Sequence, residues 1–65
     1  MGYKIREVRE AKNISQEELS QKSGVSRSII SALENGKTNT TSKTLANIAK
    51  ALGVSVDQIF YTDSV

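Results

Sequence analysis

Cysteine, histidine, proline and tryptophan are all absent from this sequence. Without cysteine there is neither a disulfide nor a thiolate metal site, and without histidine only carboxylates remain as metal ligands. No metal site is therefore expected. Nucleophilic catalysis needs a side chain with an activating base beside it, and none of the nine serines has an obvious one. No glycine pattern suited to a nucleotide is present either, so an enzyme is not expected. Apolar runs are short. None approaches the roughly 18–20 residues of a membrane helix, and no signal-peptide pattern opens the chain. A cytoplasmic protein with no membrane contact is the natural reading. Aromatic residues number three, Tyr3, Phe60 and Tyr61. The core must then be largely aliphatic, with little room for a cofactor, and no cofactor or small-molecule ligand is expected.

What is present is a short chain rich in helix signals. Its 65 residues fit one domain, 1–65, near the lower limit at which a single core suffices. Compact helix packing, reinforced by a homodimer, is the remaining route to stability. The net charge of +2 is small, but it is unevenly placed. Residues 1–18 net zero, whereas 19–54 carry Lys22, Arg27, Lys37, Lys43 and Lys50 against Glu34 alone. A central positive excess fits either a polyanion or an ordinary solvated helix surface.

The periodicity predicts five helices and no strand. The first spans Met1 to Asn13, with Ile5 and Val8 on one face, and Asn13 can end it in a left-handed conformation. Ser15 with Glu18 forms a capping box for a second helix over Gln16–Ser23, and Ile14 packs as a staple on Leu19. Gly24 allows a sharp turn that Val25 plugs. Ser26 then caps a third helix over Arg27–Asn35, with Ile30 and Leu33 facing inward and Gly36 as its stop. Lys37 to Ser42 reads as a loop. Ser42 or Thr41 caps a fourth helix with Leu45, Ile48, Ala49 and Leu52 at i, i+3, i+4, i+7. Ser55 and Gln58 box in a short fifth helix carrying Ile59 and Phe60. Residues 61–65 read as a frayed tail. The expected core adds Val54 and Phe60 to the apolar positions named above.

Helix, glycine-bearing turn, helix over residues 16–35 is the helix-turn-helix arrangement. Here it carries the ordered set S-Q-E-E-L, S-G-V-S, I-S-x-L-E-N-G-K and, later, A-L-G-V-S. In these residues the chain strongly resembles the Cro and phage-repressor helix-turn-helix family, often called the Xre family, over roughly residues 3–60. The resemblance implies a phage-repressor-like, all-α five-helix domain. It further implies sequence-specific binding of double-stranded DNA to regulate transcription, commonly as a dimer on a two-fold operator. Ser20 stands where the family usually has alanine, and Thr40-Thr41-Ser42 lacks a proline often found there.

The family pattern places base readers at the positions held by Arg27, Ser28 and Ala32. Arg27 is suited to guanine O6 and N7, or else to a phosphate, while Ser28 and Ala32 discriminate weakly. Ile29, at the border of the apolar stripe, either completes packing or meets a thymine methyl. Phosphate contacts are expected from Gln16, Ser26, Ser31, Asn35, Lys37, Thr38, Asn39 and Thr40, which fix orientation without carrying sequence information. The resemblance also suggests that Glu34 pairs with Arg9 in a partly buried bridge. Helix five and the tail, with Val56, Ile59, Tyr61 and Val65, form the candidate dimer interface. A different reading keeps the fold but gives its surface to a protein partner, as in an antitoxin or anti-repressor module with little DNA binding of its own.

Overall fold

The structure, a computed structural model, describes residues 2–61. Five helices make up most of it: α1 (Ile5–Ala11), α2 (Gln16–Ser23), α3 (Arg27–Glu34), α4 (Ser42–Leu52) and α5 (Val56–Ile59). The all-α architecture is as expected. Its one addition is a two-residue antiparallel ribbon of β1 (Gly2–Tyr3) and β2 (Phe60–Tyr61), with Tyr3 opposite Phe60.

That ribbon changes both ends of the expected chain course. Helix α1 begins at Ile5 instead of Met1, because Gly2 and Tyr3 are extended and paired with β2. The Lys4 N–H donates to the Ile59 carbonyl at 2.7 Å, continuing the pairing by one rung. Tyr3 and Phe60 face each other across it with ring centroids 6.2 Å apart and tilted by 57°, an arrangement aromatic rings favour. Tyr61, expected in the frayed tail, belongs to β2, and residues 62–65 with Val65 lie outside the described residues.

Local chemistry sets the other boundaries. Asn13 adopts φ +58° two residues beyond α1, a conformation that asparagine tolerates better than most side chains. The Ser15 hydroxyl accepts from the Glu18 N–H at 3.0 Å, while the Glu18 carboxylate lies 3.3 Å from Lys22 Nζ. Ser26 and Thr41 cap α3 and α4 in the same way, each accepting an N–H three residues on at 3.2 Å. Ser42 is therefore inside α4 and not in the loop. At the fifth helix the Ser55 N–H donates to Gln58 Oε1 at 3.1 Å. Gly24 sits at φ +76° between α2 and α3. A Cβ there would meet nothing within 4 Å, so the backbone angle, and not crowding, calls for glycine.

The core comprises Ile5, Leu19, Val25, Ile30, Leu33, Leu45, Ile48, Ala49, Leu52 and Ile59. Helix α2 packs chiefly on α4 and α3, so every helix contributes to one aliphatic cluster. Val8, Ile14 and Val54 are only partly buried against it, joined by Tyr3 and Ala51. Phe60, expected in the core, is 41% exposed. The chain leaves α5 at Ile59 and Phe60 is already extended, so the fully buried Ile59 points inward and its neighbour outward. Ile59 is thereby removed from the candidate dimer surface.

These burials make a paired prediction. Ile59→Ala should cost roughly 2–5 kcal/mol in a urea titration, and Phe60→Ala about 1 kcal/mol, the size of one aromatic contact. Equal costs would show that the ribbon, and not the core beneath it, anchors the C-terminal end.

Candidate nucleic-acid interface

Helix α3 is held with its back to the core. Ile30 and Leu33 are fully buried, and the opposite side of the helix is open to solvent. What fixes its far end is an ion pair across three helices. Arg9 Nε donates to Glu34 Oε2 at 2.8 Å and its Nη2 to Oε1 at 3.2 Å. The side chains of Arg9 and Glu34 are only 11% and 1% exposed. Arg9 Nη1 donates to the Ile14 carbonyl at 2.9 Å, and Gln16 Nε2 donates to Glu34 Oε1 at 2.9 Å. Both charges, largely shielded from solvent, are thus paired and hydrogen-bonded, which is the condition under which such a pair is tolerated. The hydrogen bond to Glu34, partly offset by burial, holds the Arg9 guanidinium above its ordinary value.

A shallow concavity of about 590 Å³ lies on the outward side of α3. Arg27, Ser28 and Ala32, three of the four expected base readers, line it. So do four of the expected phosphate contacts, Gln16, Ser31, Asn35 and Lys37. Its lining mixes long polar side chains, Gln16, Arg27, Asn35 and Lys37, with the small Ser28, Ser31 and Ala32. Asn35 Nδ2 donates to Ser31 Oγ at 3.4 Å, spanning one turn of that face. Gln16 is shared, since one amide hydrogen serves Glu34 and the group retains a second donor and an acceptor.

The remaining expected residues lie elsewhere. Ile29 is 45% exposed, so it does not complete the packing, and it does not line the concavity. The Ser26 hydroxyl oxygen accepts the capping bond from the Ile29 N–H, and its own O–H keeps its capacity to donate. Thr38 donates to the Asn39 carbonyl at 3.2 Å, and Thr40 is half-buried. Sequence reasoning did not find Arg6, which lines a second concavity with Arg9, Ser15, Gln16, Glu17 and Arg27. On a helical wheel it was one surface cation among several. Among the described residues no His, Cys, Asp or Glu cluster could hold a metal, and no helix is long and apolar enough to cross a membrane.

The sequence profile described as helix-turn-helix matches residues 5–59. The chain belongs to the helix-turn-helix family. Its class is that of a DNA-binding transcriptional regulator and not an enzyme. It is similar to an uncharacterised HTH-type transcriptional regulator of Methanocaldococcus jannaschii, 42% identical over 92% of this chain and 91% of that protein. It also resembles the control protein C.SmaI of Serratia marcescens, 40% identical over 91% of this chain and 70% of that protein. Among solved structures, the restriction-modification controller protein C.AhdI of Aeromonas hydrophila superposes with a TM-score of 0.83 at 35% identity. That match covers 88% of this chain and 86% of the other.

The bridge at the end of α3 carries a stability prediction. Glu34→Ala strands the Arg9 guanidinium in a nearly dry site, and loss of one buried partner costs about 3 kcal/mol or more. Chemical denaturation should show that loss in the absence of DNA. An unmoved midpoint would make Glu34 a surface carboxylate in solution.

Proposed function

We propose that this protein binds specific double-stranded DNA sites as a homodimer, with α3 in the major groove, and so regulates transcription in the cytoplasm. The observation that carries this reading is the concavity on α3, where Arg27, Ser28 and Ala32 are bracketed by Gln16, Ser31, Asn35 and Lys37. The small Ser28, Ser31 and Ala32 allow close approach to base edges, and the longer Gln16, Asn35 and Lys37 have the reach for phosphates. Arg27 reads guanine through its two-pronged donor set, and Ser28 and Ala32 add a hydroxyl and a methyl. Ile29, exposed at the flank, offers its methyls to a thymine at the margin of the half-site. Ser26, Thr38, Asn39 and Thr40 present backbone and hydroxyl groups to the phosphates on either side.

Direct readout on this surface is thin, with Arg27 as its main carrier. Half-site spacing and DNA shape supply the remainder. Two copies with recognition helices about 34 Å apart would meet successive major grooves. Val56 and Phe60, 36% and 41% exposed around α5, are the apolar groups on that side available to a second copy. The similarity to C.SmaI and C.AhdI supports a role as a small regulator acting through DNA.

Selection of bound sites from random duplexes tests this directly. Two-fold sites with a guanine whose preference disappears in Arg27→Ala are expected, at a cost of about 1–3 kcal/mol at that position. Lys37→Ala should weaken binding to all sequences and lower the salt slope by about one unit. Enrichment of no sequence, together with salt-insensitive capture of a protein, would instead favour the protein-interaction reading of this fold.

A further inference from the structure

The concavity that contains Arg6 is not separate from the one on α3. It has a volume of about 420 Å³, and Gln16 and Arg27 line both. The surface offered to DNA therefore continues past the start of α2 onto α1. Three arginines border this extension, and they differ in what they are free to do. Each of the three nitrogens of Arg9 already makes one hydrogen bond, to Glu34 or to the Ile14 carbonyl, so the group is tied inward. Arg27 lies at the junction with the recognition face. Arg6 is exposed, its side chain 61% accessible, and its Nε stands 3.8 Å from Glu10 Oε2 in an i, i+4 pair. A pair that long and that exposed contributes little and exchanges readily for another anion.

From this geometry we infer that Arg6 is a further DNA-backbone contact, holding a phosphate over the second concavity beside Gln16 and outside the stretch read by α3. The inference rests on the DNA-binding reading above. A phosphate at that place receives the Arg6 guanidinium as a forked donor, with the free amide hydrogen of Gln16 beside it. Glu17 also lines this concavity, so the anion must sit toward Arg6 and Gln16 and away from that carboxylate. Arg6 would carry no sequence information. Its part is to set the tilt of α1 and α2 over the strand and to add one neutralised phosphate to the footprint.

The test compares the full chain with Arg6→Gln and, as a charge-matched control, Lys50→Gln, an exposed residue of α4 that lines neither concavity. Binding is measured against salt on the selected site and on an unrelated duplex. Replacing Arg6 should reduce the salt slope by about 0.9 on both duplexes, with the thermal midpoint unchanged, while the control leaves the slope alone. A set of duplexes, each with one methylphosphonate, then locates the contact. One position per half-site should weaken the wild type and have no effect in Arg6→Gln. A steep wild-type slope with the same methylphosphonate profile in both proteins, or an equal loss from Lys50→Gln, overturns the role of Arg6 alone. A wild type that binds no duplex overturns the DNA reading together with it.

Discussion

The fold turns on one desolvated ion pair. Arg9 comes from α1, Glu34 ends α3, and Gln16 opens α2, so three helices meet at a single carboxylate. Taking two charges out of water is costly, and the cost is offset only because each polar atom there has a partner. No buried side-chain nitrogen or oxygen among the described residues lacks one. The consequence is geometric. Aliphatic packing of Ile30 and Leu33 fixes which side of α3 faces inward but tolerates sliding and tilting, whereas a forked guanidinium–carboxylate contact does not. The raised value of Arg9 extends this in pH. Its contribution is complete below the ordinary guanidinium value and is lost only above the raised one, so no ordinary alkaline condition releases the tie.

How much of this was legible depends on the range of each interaction. Caps act within three residues: Ser15 and Ser26 mark their helices where the sequence places them, and of Thr41 and Ser42, both open to it, Thr41 is the cap. Asn13 and Gly24 are equally local, since each answers to its own φ. The ribbon is different. Gly2 and Tyr3 gain their extended form from residues 60 and 61, at the other end of the chain, and a helical pattern beginning at Ile5 is easily run back over them. The same contact exposes Phe60, which periodicity alone assigns to the core. The meeting of Arg9 and Glu34, 25 residues apart, leaves no trace in any periodicity and was suggested only by family resemblance.

The candidate site divides along the same line. One turn-by-turn face of α3 brings Arg27, Ser28, Ser31, Ala32 and Asn35 together, because positions three and four apart share a side of a helix. Whether Gln16 and Lys37 join that face depends on how α2 and the following loop pack, which lies beyond any wheel. Ile29 shows the limit most clearly. It sits between the buried and the open side, and its exposure is decided by the neighbours of α3 and not by its own position.

A face of α3 with short side chains at Ser28, Ser31 and Ala32, tied from behind by an ion pair, would constrain how DNA is recognised. Ser28, Ser31 and Ala32 are too short to follow a base that moves, and the bridge at Glu34 ties the end of α3 to α1. On the proposed reading, adaptation at the interface then falls mainly to the DNA. When the protein does not yield, the energy of fitting depends on how easily each sequence narrows, twists or bends, and positions that no side chain touches acquire a preference. A protein with long, mobile groups over the same face would lose that discrimination, because its side chains would absorb the mismatch. On the proposed reading the ion pair and the sparse face are linked: a recognition helix tied from behind would let little chemistry in front of it select a site.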